Sequence, residues 1–226
     1  MRTQALVFAT TAAFLLCQIR TLPQRIEPHP NPHKTLFTLS QVWGLDAVYI
    51  DRQHGVTFRY SSIWRPGIAF GYWPPALTLS DQAKPIAGFA YQDGFNQNEV
   101  TGPYSGTNME GVGIVYSAVP ATSVRGCDAM AANISGAQDQ SLVALGGRSF
   151  TVHETSSAGM SQSFSGKLYA TYARSTCYLF ETGVALGPPP DVASLRWPTP
   201  SQRHSIETHL FAIMKSVRIA LTGQPD

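Results

Sequence analysis

Cysteine is the residue type with the widest choice of chemistry in this chain, which contains three: Cys17, Cys127 and Cys177. A thiolate can attack an electrophile or bind a metal, and two thiols can oxidise to a disulfide. Cys17 ends an apolar N-terminal run, which leaves the other two. Two cysteines cannot build a structural zinc site alone, and neither has a histidine nearby in sequence. Three interpretations of Cys127 and Cys177 remain: a disulfide, two buried free thiols, or a reactive thiol.

Other catalytic patterns are incomplete. The segment "HETSS" begins like the zinc-protease motif H-E-x-x-H, but Ser157 stands where the second histidine is required. The segment "GMSQS" approaches the hydrolase pattern G-x-S-x-G, but Ser163 replaces its last glycine. The segment "GVGIVY" lacks the third glycine of a dinucleotide-binding loop, and there is no P-loop. We therefore predict no catalytic residue, no metal and no cofactor.

One enzymatic alternative stays open, a hydrolase whose site is built from residues distant in sequence. It would use His153, Glu154 and Ser161, and it needs a concave pocket in which these side chains meet. Strand alternation predicts that His153 and Glu154 point to opposite faces of one strand, which argues against this alternative.

The N-terminus resembles an export signal. Arg2 precedes an apolar run that ends at Cys17, and no acidic residue occurs before Glu27. The segment "FLLC" is similar to a bacterial lipoprotein box, so Cys17 is a candidate lipidation site. We predict a signal peptide or lipoprotein leader over 1–17, a proline-rich tether over 18–35, and one domain over 36–222. The expected location is extracytoplasmic, with membrane attachment only through an N-terminal lipid or an uncleaved leader.

Charge and aromatic content limit the partners. The formal charge is +2, and the lysines and arginines are scattered singly, so nucleic acid is not expected. Aromatic residues beside prolines and in a long polar loop over 92–110 form a candidate contact surface for a protein or glycan. Its residues are Tyr72, Trp73, Phe95 and Tyr104. Core packing and turn anchoring would explain the same residues.

The cysteines must be positioned by a sheet and a helix. Cys177 begins a run that is apolar on both faces, which is typical of a strand in the middle of a covered sheet. It follows a predicted hairpin turn near Arg174 and Ser175. Cys127 lies on the apolar stripe of a predicted helix over 121–134. A disulfide between the helix and the sheet is therefore sterically reasonable. Because two leftover thiols in an exported protein most often pair, we predict the Cys127–Cys177 bond.

A second helix has a clear predicted start. Thr199 is a candidate N-cap, Pro200 occupies the first helical position, and Gln202 completes a capping box. Strands are expected at "GVTFRY", "PIAGFAY", "EGVGIVYSAV" and "RSFTVHET". Together these elements predict an α+β fold in which helices flank an antiparallel sheet.

The order of these motifs resembles that of PsbP/Mog1-like domains. The resemblance lies in "GVTFRYSSIW", with Trp64 at the family spacing, then "LGGRSFTVHE", "YATYARSTCYLFETGV" and a final helix that ends in "KSVRI". It implies an α/β/α sandwich around a mostly antiparallel sheet, and it implies no reaction. We expect a non-catalytic exported accessory or binding module of the bacterial cell envelope.

Overall fold

The structure is a computed structural model that describes residues 35–66, 83–92, 100–137, 139–159, 162–188 and 195–220. These residues belong to one compact unit, His33–Asp226. The predicted leader (1–17) and all but the last residue of the predicted tether (18–35) lie outside the described residues, so both stay predictions.

Twelve strands and three helices occur in the described ranges. The helices are α1 (Leu39–Val42), α2 (Val124–Ser135) and α3 (Pro200–Ser216). The strands are β1 (Thr35–Leu36), β2 (Ala47–Asp51), β3 (Val56–Tyr60), β4 (Arg65–Pro66), β5 (Ala87–Tyr91), β6 (Val100–Thr101), β7 (Met109–Pro120), β8 (Ser141–Leu145), β9 (Arg148–Gly159), β10 (Gln162–Ala173), β11 (Thr176–Leu186) and β12 (Arg218–Ile219).

Seven strands form the main sheet, in the order β4-β5-β7-β11-β10-β9-β8, and every neighbouring pair is antiparallel. A smaller sheet has the order β12-β3-β2, and β1 pairs with β6 in parallel. The strand that carries Cys177, β11, lies in the middle of the main sheet. This confirms the prediction drawn from its two apolar faces, because only a strand covered on both sides buries both sets of side chains.

The β10–β11 hairpin turns at Arg174 and Ser175, as predicted. Both residues have positive φ angles, 51° and 55°. The backbone of a two-residue loop with positive φ angles at both residues matches the right-handed twist of the flanking strands. The register that follows runs from Ala173 opposite Thr176 to Ser163 opposite Leu186.

Helix α2 covers one face of the main sheet. Ser123 caps its start, because the Ser123 hydroxyl accepts a hydrogen bond from the Gly126 amide, and Gly136 ends it with a φ of 67°. Its apolar stripe packs with alternate residues of β10 and β11. This α2 face of the sheet buries Cys127, Ala131, Leu168, Ala170, Cys177 and Leu179, each 0% exposed.

Helix α3 covers the opposite face. Thr199 and Gln202 form the predicted capping box, with Pro200 in the first turn. The intervening residues of β11, Tyr178 and Phe180, point to this α3 face and share a core with the smaller sheet and the second half of the helix. The α+β architecture with helices on both faces of an antiparallel sheet is therefore confirmed.

Candidate ligand-binding cavity

A cavity of about 470 Å³ lies between the first half of α3 and the outer strands of the main sheet. Its floor consists of side chains from β8 to β11 that point to the α3 face. Its roof is one side of α3, together with Pro198 just before the helix. The apolar lining residues are Leu142, Val143, Val152, Val184, Leu186, Pro198, Ile206, Leu210 and Phe211.

The cavity exists because α3 packs unevenly along its length. The second half of the helix buries Leu210, Ile213 and Met214, whereas the first half buries Ile206 alone. Beneath that first half, Val184 and Leu186 remain half-buried. Apolar side chains that face each other across an unfilled space lose part of the contact that a closed core provides.

An aromatic stack holds the middle of α3 on its other side. The rings of Trp43 and His209 lie 4.8 Å apart and 9° from parallel. The Trp43 indole N–H donates to the hydroxyl of Tyr104 at 2.8 Å, which fixes the indole. Burial lowers the pKa of His209, so this ring is neutral at neutral pH and stacks without the cost of burying a charge.

Backbone hydrogen bonds hold the segment that leads into α3. The Arg196 amide donates to the Gly106 carbonyl at 3.1 Å, and the Asn108 amide donates to the Arg196 carbonyl at 2.9 Å. The Asn108 side-chain amide also donates to the carbonyls of Gly187 and Pro188, at 3.3 and 3.2 Å. The helix is thus fixed at its entry and at its middle, so the cavity is preformed.

Two buried polar side chains lie on the cavity floor. Tyr169 and Thr182 point to the α3 face from β10 and β11. Burial raises the pKa of Tyr169 to about 12, although a hydrogen bond with the Thr182 side chain acts in the opposite direction. The phenol is therefore protonated at neutral pH and provides a hydroxyl at the floor rather than a charge.

The charged residues of the cavity lie at its rim. On the sheet side, the Lys167 ammonium lies 3.3 Å from the Glu154 carboxylate, and these side chains are 45% and 76% exposed. On the helix side, Arg203 and Glu207 are exposed. The rim therefore carries two bases and two acids around an apolar interior.

The predicted disulfide is present. Cys127 of α2 and Cys177 of β11 are bonded, with their Cα atoms 5.2 Å apart, and both are fully buried. The bond joins the helix to the central strand, as the sequence indicated. The interpretations as free or reactive thiols are therefore set aside.

The predicted contact surface is corrected at one position. The side chain of Tyr104 is 1% exposed and accepts the Trp43 hydrogen bond, so it packs inside the domain and presents no contact surface. Its ring fills space beside Trp43, so core packing explains why an aromatic residue occurs at this position. Tyr72, Trp73, Phe95 and the candidate lipidation site Cys17 lie outside the described residues.

The residues of the hydrolase alternative do not converge where they are described. His153 is 1% exposed on the α2 face of β9, whereas the Glu154 side chain is 76% exposed on the opposite face. Neither ring nitrogen of His153 has a hydrogen-bond partner among the described residues. Ser161 lies outside them. The expectation that strand alternation separates His153 from Glu154 is confirmed.

In the described ranges, no group of three or more His, Cys, Asp or Glu side chains is assembled in a way that could hold a metal ion. Within those ranges, no helix is both long and apolar enough to cross a membrane.

Sequence reasoning missed the cavity. Its residues come from β8 to β11 and α3, and Arg203 and Glu207 look like ordinary solvated helix residues in the sequence. One signal was present: the first half of α3 has a single strongly apolar residue, Ile206, before Leu210. A helix with so few apolar residues in its first two turns cannot seal a sheet.

No protein-family model matches the chain, and no curated protein matches it. Solved structures similar to it include cyanobacterial PsbP (CyanoP) from Synechocystis sp. PCC 6803, with 10% identity over 77% of this chain and 92% of that one and a TM-score of 0.43. LpqN, involved in cell envelope biogenesis of Mycobacterium tuberculosis, has 12% identity over 74% and 83%, with a TM-score of 0.40. The Saccharomyces cerevisiae Ran-binding protein Mog1p has 8% identity over 76% and 94%, with a TM-score of 0.41.

PsbP and Mog1 are the proteins after which the resembled fold is named, so the family resemblance inferred from the sequence recurs among the solved structures. At these identities and TM-scores the likeness carries no argument about ligand, partner or reaction, because one fold hosts many functions.

Proposed function

We propose that this chain is a non-catalytic, extracytoplasmic binding module of the bacterial cell envelope, and that it binds the apolar part of a small ligand in the cavity under α3. The observation that carries the proposal is the preformed apolar cavity of about 470 Å³. Its size lies within the range of about 300–1,000 Å³ that is usual for small-molecule sites. Its lining combines nine apolar residues with four hydroxyl-bearing residues and four charged residues at the rim, and a mainly apolar interior is also usual for such sites.

The disulfide supports the extracytoplasmic location. Disulfides persist in oxidising compartments and are rare where glutathione and thioredoxin keep thiols reduced. The Cys127–Cys177 bond is fully buried and joins two layers of the fold, so it is a structural bond rather than an exchangeable one. The export signal predicted over 1–17 would take the chain to such a compartment.

The composition of the cavity favours binding over catalysis. The side chains that line it include no histidine and no cysteine among the described residues. Its hydroxyl groups, on Ser141, Ser165, Tyr169 and Thr182, therefore have no imidazole beside them to act as a general base. The other candidate bases lie at the solvated rim, where Lys167 and Glu154 pair with each other and Glu207 is exposed. A protein or glycan partner remains a separate prediction for the surface around Tyr72, Trp73 and Phe95.

A cavity-filling variant tests the proposal. Ser165 lines the cavity from β10, and its cross-strand neighbour Ser156 points to the same face of the sheet without lining it. We expect the purified domain to bind the neutral apolar dye N-phenyl-1-naphthylamine in a saturable manner, measured by dye fluorescence. Ser165→Trp should weaken binding about tenfold or more because the indole occupies the cavity, whereas Ser156→Trp should leave it unchanged.

Thermal unfolding of both variants serves as the folding control, since both serines are on strands and are not fully buried. Equal dye affinity in wild type and a folded Ser165→Trp variant would refute the assignment of the cavity as the binding site.

A further inference from the structure

The rim of the cavity presents opposite charges in two places. Lys167 and Glu154 face each other across β10 and β9, and Arg203 and Glu207 lie one helical turn apart on α3. All four residues line the cavity, and their side chains reach solvent. The formal charge of the rim is zero, so the rim offers no net attraction to a simple anion or a simple cation.

The two helix charges are available to a ligand. Neither Arg203 nor Glu207 makes a side-chain ion pair with a residue in the described ranges. Their order on the helix, with the base before the acid at i and i+4, is the weaker orientation for an intrahelical pair. A ligand with both charges can therefore engage both side chains without breaking an ion pair that either of them makes within the described ranges.

The interior imposes a second requirement. It is apolar apart from the hydroxyl groups, and a charged group moved into it would lose its hydration without gaining a charged partner. A ligand that fits must place an apolar chain inside and keep its charges at the mouth, where Arg203 and Glu207 remain hydrated. The volume, about 470 Å³, lies in the lower half of the usual range, which suits one chain rather than two.

We propose that the ligand is a monoacyl amphiphile with a zwitterionic head group, such as a lysophospholipid, whose chain fills the cavity and whose head lies between Arg203 and Glu207. The phosphate takes charge-assisted hydrogen bonds from the Arg203 guanidinium, and the cationic group faces the Glu207 carboxylate. Lys167 and Glu154 provide a second pair of opposite charges on the sheet side, where the two side chains already form an ion pair with each other. This inference rests on the proposed binding function of the cavity.

Four dodecyl amphiphiles with the same tail test the head group. They are dodecylphosphocholine (zwitterionic), dodecyl sulfate (anionic), dodecyltrimethylammonium (cationic) and dodecyl maltoside (uncharged). Each is titrated below its critical micelle concentration into the disulfide-intact protein by isothermal calorimetry. We expect dodecylphosphocholine to bind about tenfold more tightly than either singly charged amphiphile, because it alone satisfies both rim charges.

Single-charge variants assign the two contacts. Arg203→Gln should weaken dodecylphosphocholine and dodecyl sulfate by about three- to tenfold and spare dodecyltrimethylammonium. Glu207→Gln should weaken dodecylphosphocholine and dodecyltrimethylammonium instead and spare dodecyl sulfate. Arg125→Gln, an exposed helix position on α2 at the opposite face of the sheet, should change none of the affinities.

The outcomes separate this inference from the proposed function. Equal affinity for all four amphiphiles, or tighter binding of a singly charged or uncharged one, would overturn the zwitterionic head group while leaving the binding cavity in place. Failure of all four amphiphiles and of N-phenyl-1-naphthylamine to bind would overturn both. Sedimentation with vesicles of diacyl phosphatidylcholine should be the same for wild type and Ser165→Trp, since attachment through the N-terminus does not involve the cavity. Weaker co-sedimentation of the Ser165→Trp variant would overturn the single-chain assignment.

Discussion

The two faces of the main sheet are closed in different ways. On the α2 face, a disulfide attaches the helix to the central strand, and the side chains between them are fully buried. On the α3 face, a capping box begins the helix, an aromatic stack holds its middle, and its second half packs into the core. An open cavity lies under its first half. The difference indicates a division of roles within the fold: the α2 face is closed, whereas the α3 face buries the larger core at one end of the helix and leaves an open space at the other.

The largest loss in the free energy of unfolding should come from removing the disulfide. The two cysteines are 50 residues apart, so the bond stabilises the fold by about 4 kcal/mol in the chain-entropy model. We expect Cys127→Ala/Cys177→Ala to lower the free energy of unfolding by about that amount, measured by urea denaturation. Binding of N-phenyl-1-naphthylamine at low temperature should persist, because the cavity lies on the other face. Loss of dye binding in a variant that is still folded would contradict the division of roles.

Two leucines on β11, one on each face of the sheet, allow the packing of the two faces to be compared by the same substitution. Leu179 is fully buried on the α2 face, whereas Leu186 is half-buried at the cavity. Leu179→Ala should cost about 3 kcal/mol, since it removes buried methyl groups and leaves a void in a closed core. Leu186→Ala should cost about 1 kcal/mol, since its side chain already borders open space. Equal losses in chemical denaturation would show that the α3 face is as tightly packed as the other.

Acid should weaken the α3 side of the fold through Asp51 of β2. Burial alone would raise the pKa of Asp51, but hydrogen bonds from the His54 side chain and from the His54 and Gln53 amides outweigh it and lower that pKa. The His54 imidazole lies 2.7 Å from the carboxylate, and the Tyr116 hydroxyl donates to it at 3.3 Å from the main sheet. Burial and the Asp51 charge both raise the pKa of Tyr116, so this phenol stays protonated as a donor.

Because the pKa of Asp51 is lower in the folded chain, its stabilisation is fully present above the ordinary carboxyl pKa and is lost as the pH falls through the lowered value. Asp51→Asn should cost about 2 kcal/mol at neutral pH and should flatten the acid side of the stability profile. Urea denaturation from neutral to acidic pH measures both effects. An equally steep acid loss in the variant would mean that other groups control it.

The smallest losses in the free energy of unfolding should come from substituting the N-cap residues of the two helices. Thr199→Ala and Ser123→Ala each remove one side-chain acceptor at a helix start, and each should cost about 1 kcal/mol. Thr199→Ala should also weaken dye binding about twofold to threefold, because the first turn of α3 roofs the cavity. Ser123→Ala, the matched cap of α2, should leave dye binding unchanged. Equal effects of both variants on binding would show that the cap acts through global stability.

Much of the fold could be predicted because its signals are local. The Thr199–Gln202 capping box, the turn at Arg174 and Ser175 and the central position of β11 each depend on a few adjacent residues. A disulfide could be favoured over free or reactive thiols because only two cysteines remained outside the N-terminal apolar run. The contact surface was wrong at Tyr104, because aromatic density in a polar segment does not distinguish an exposed ring from a buried one.

The sequence by itself determined the start of α3 and the order of the predicted strands and helices, and it favoured the pairing of Cys127 with Cys177. Periodicity and capping residues act over short stretches, and cysteines can be counted. Only the tertiary structure decided where α3 stands away from the sheet, and therefore that a cavity exists with Arg203 and Glu207 at its rim. The physical reason is that a cavity forms where two surfaces that are distant in sequence do not fill the space between them. Its position depends on how the Trp43–His209 stack and the backbone hydrogen bonds of Arg196 with Gly106 and Asn108 hold the helix, and no local sequence pattern encodes the distance between the helix and the sheet.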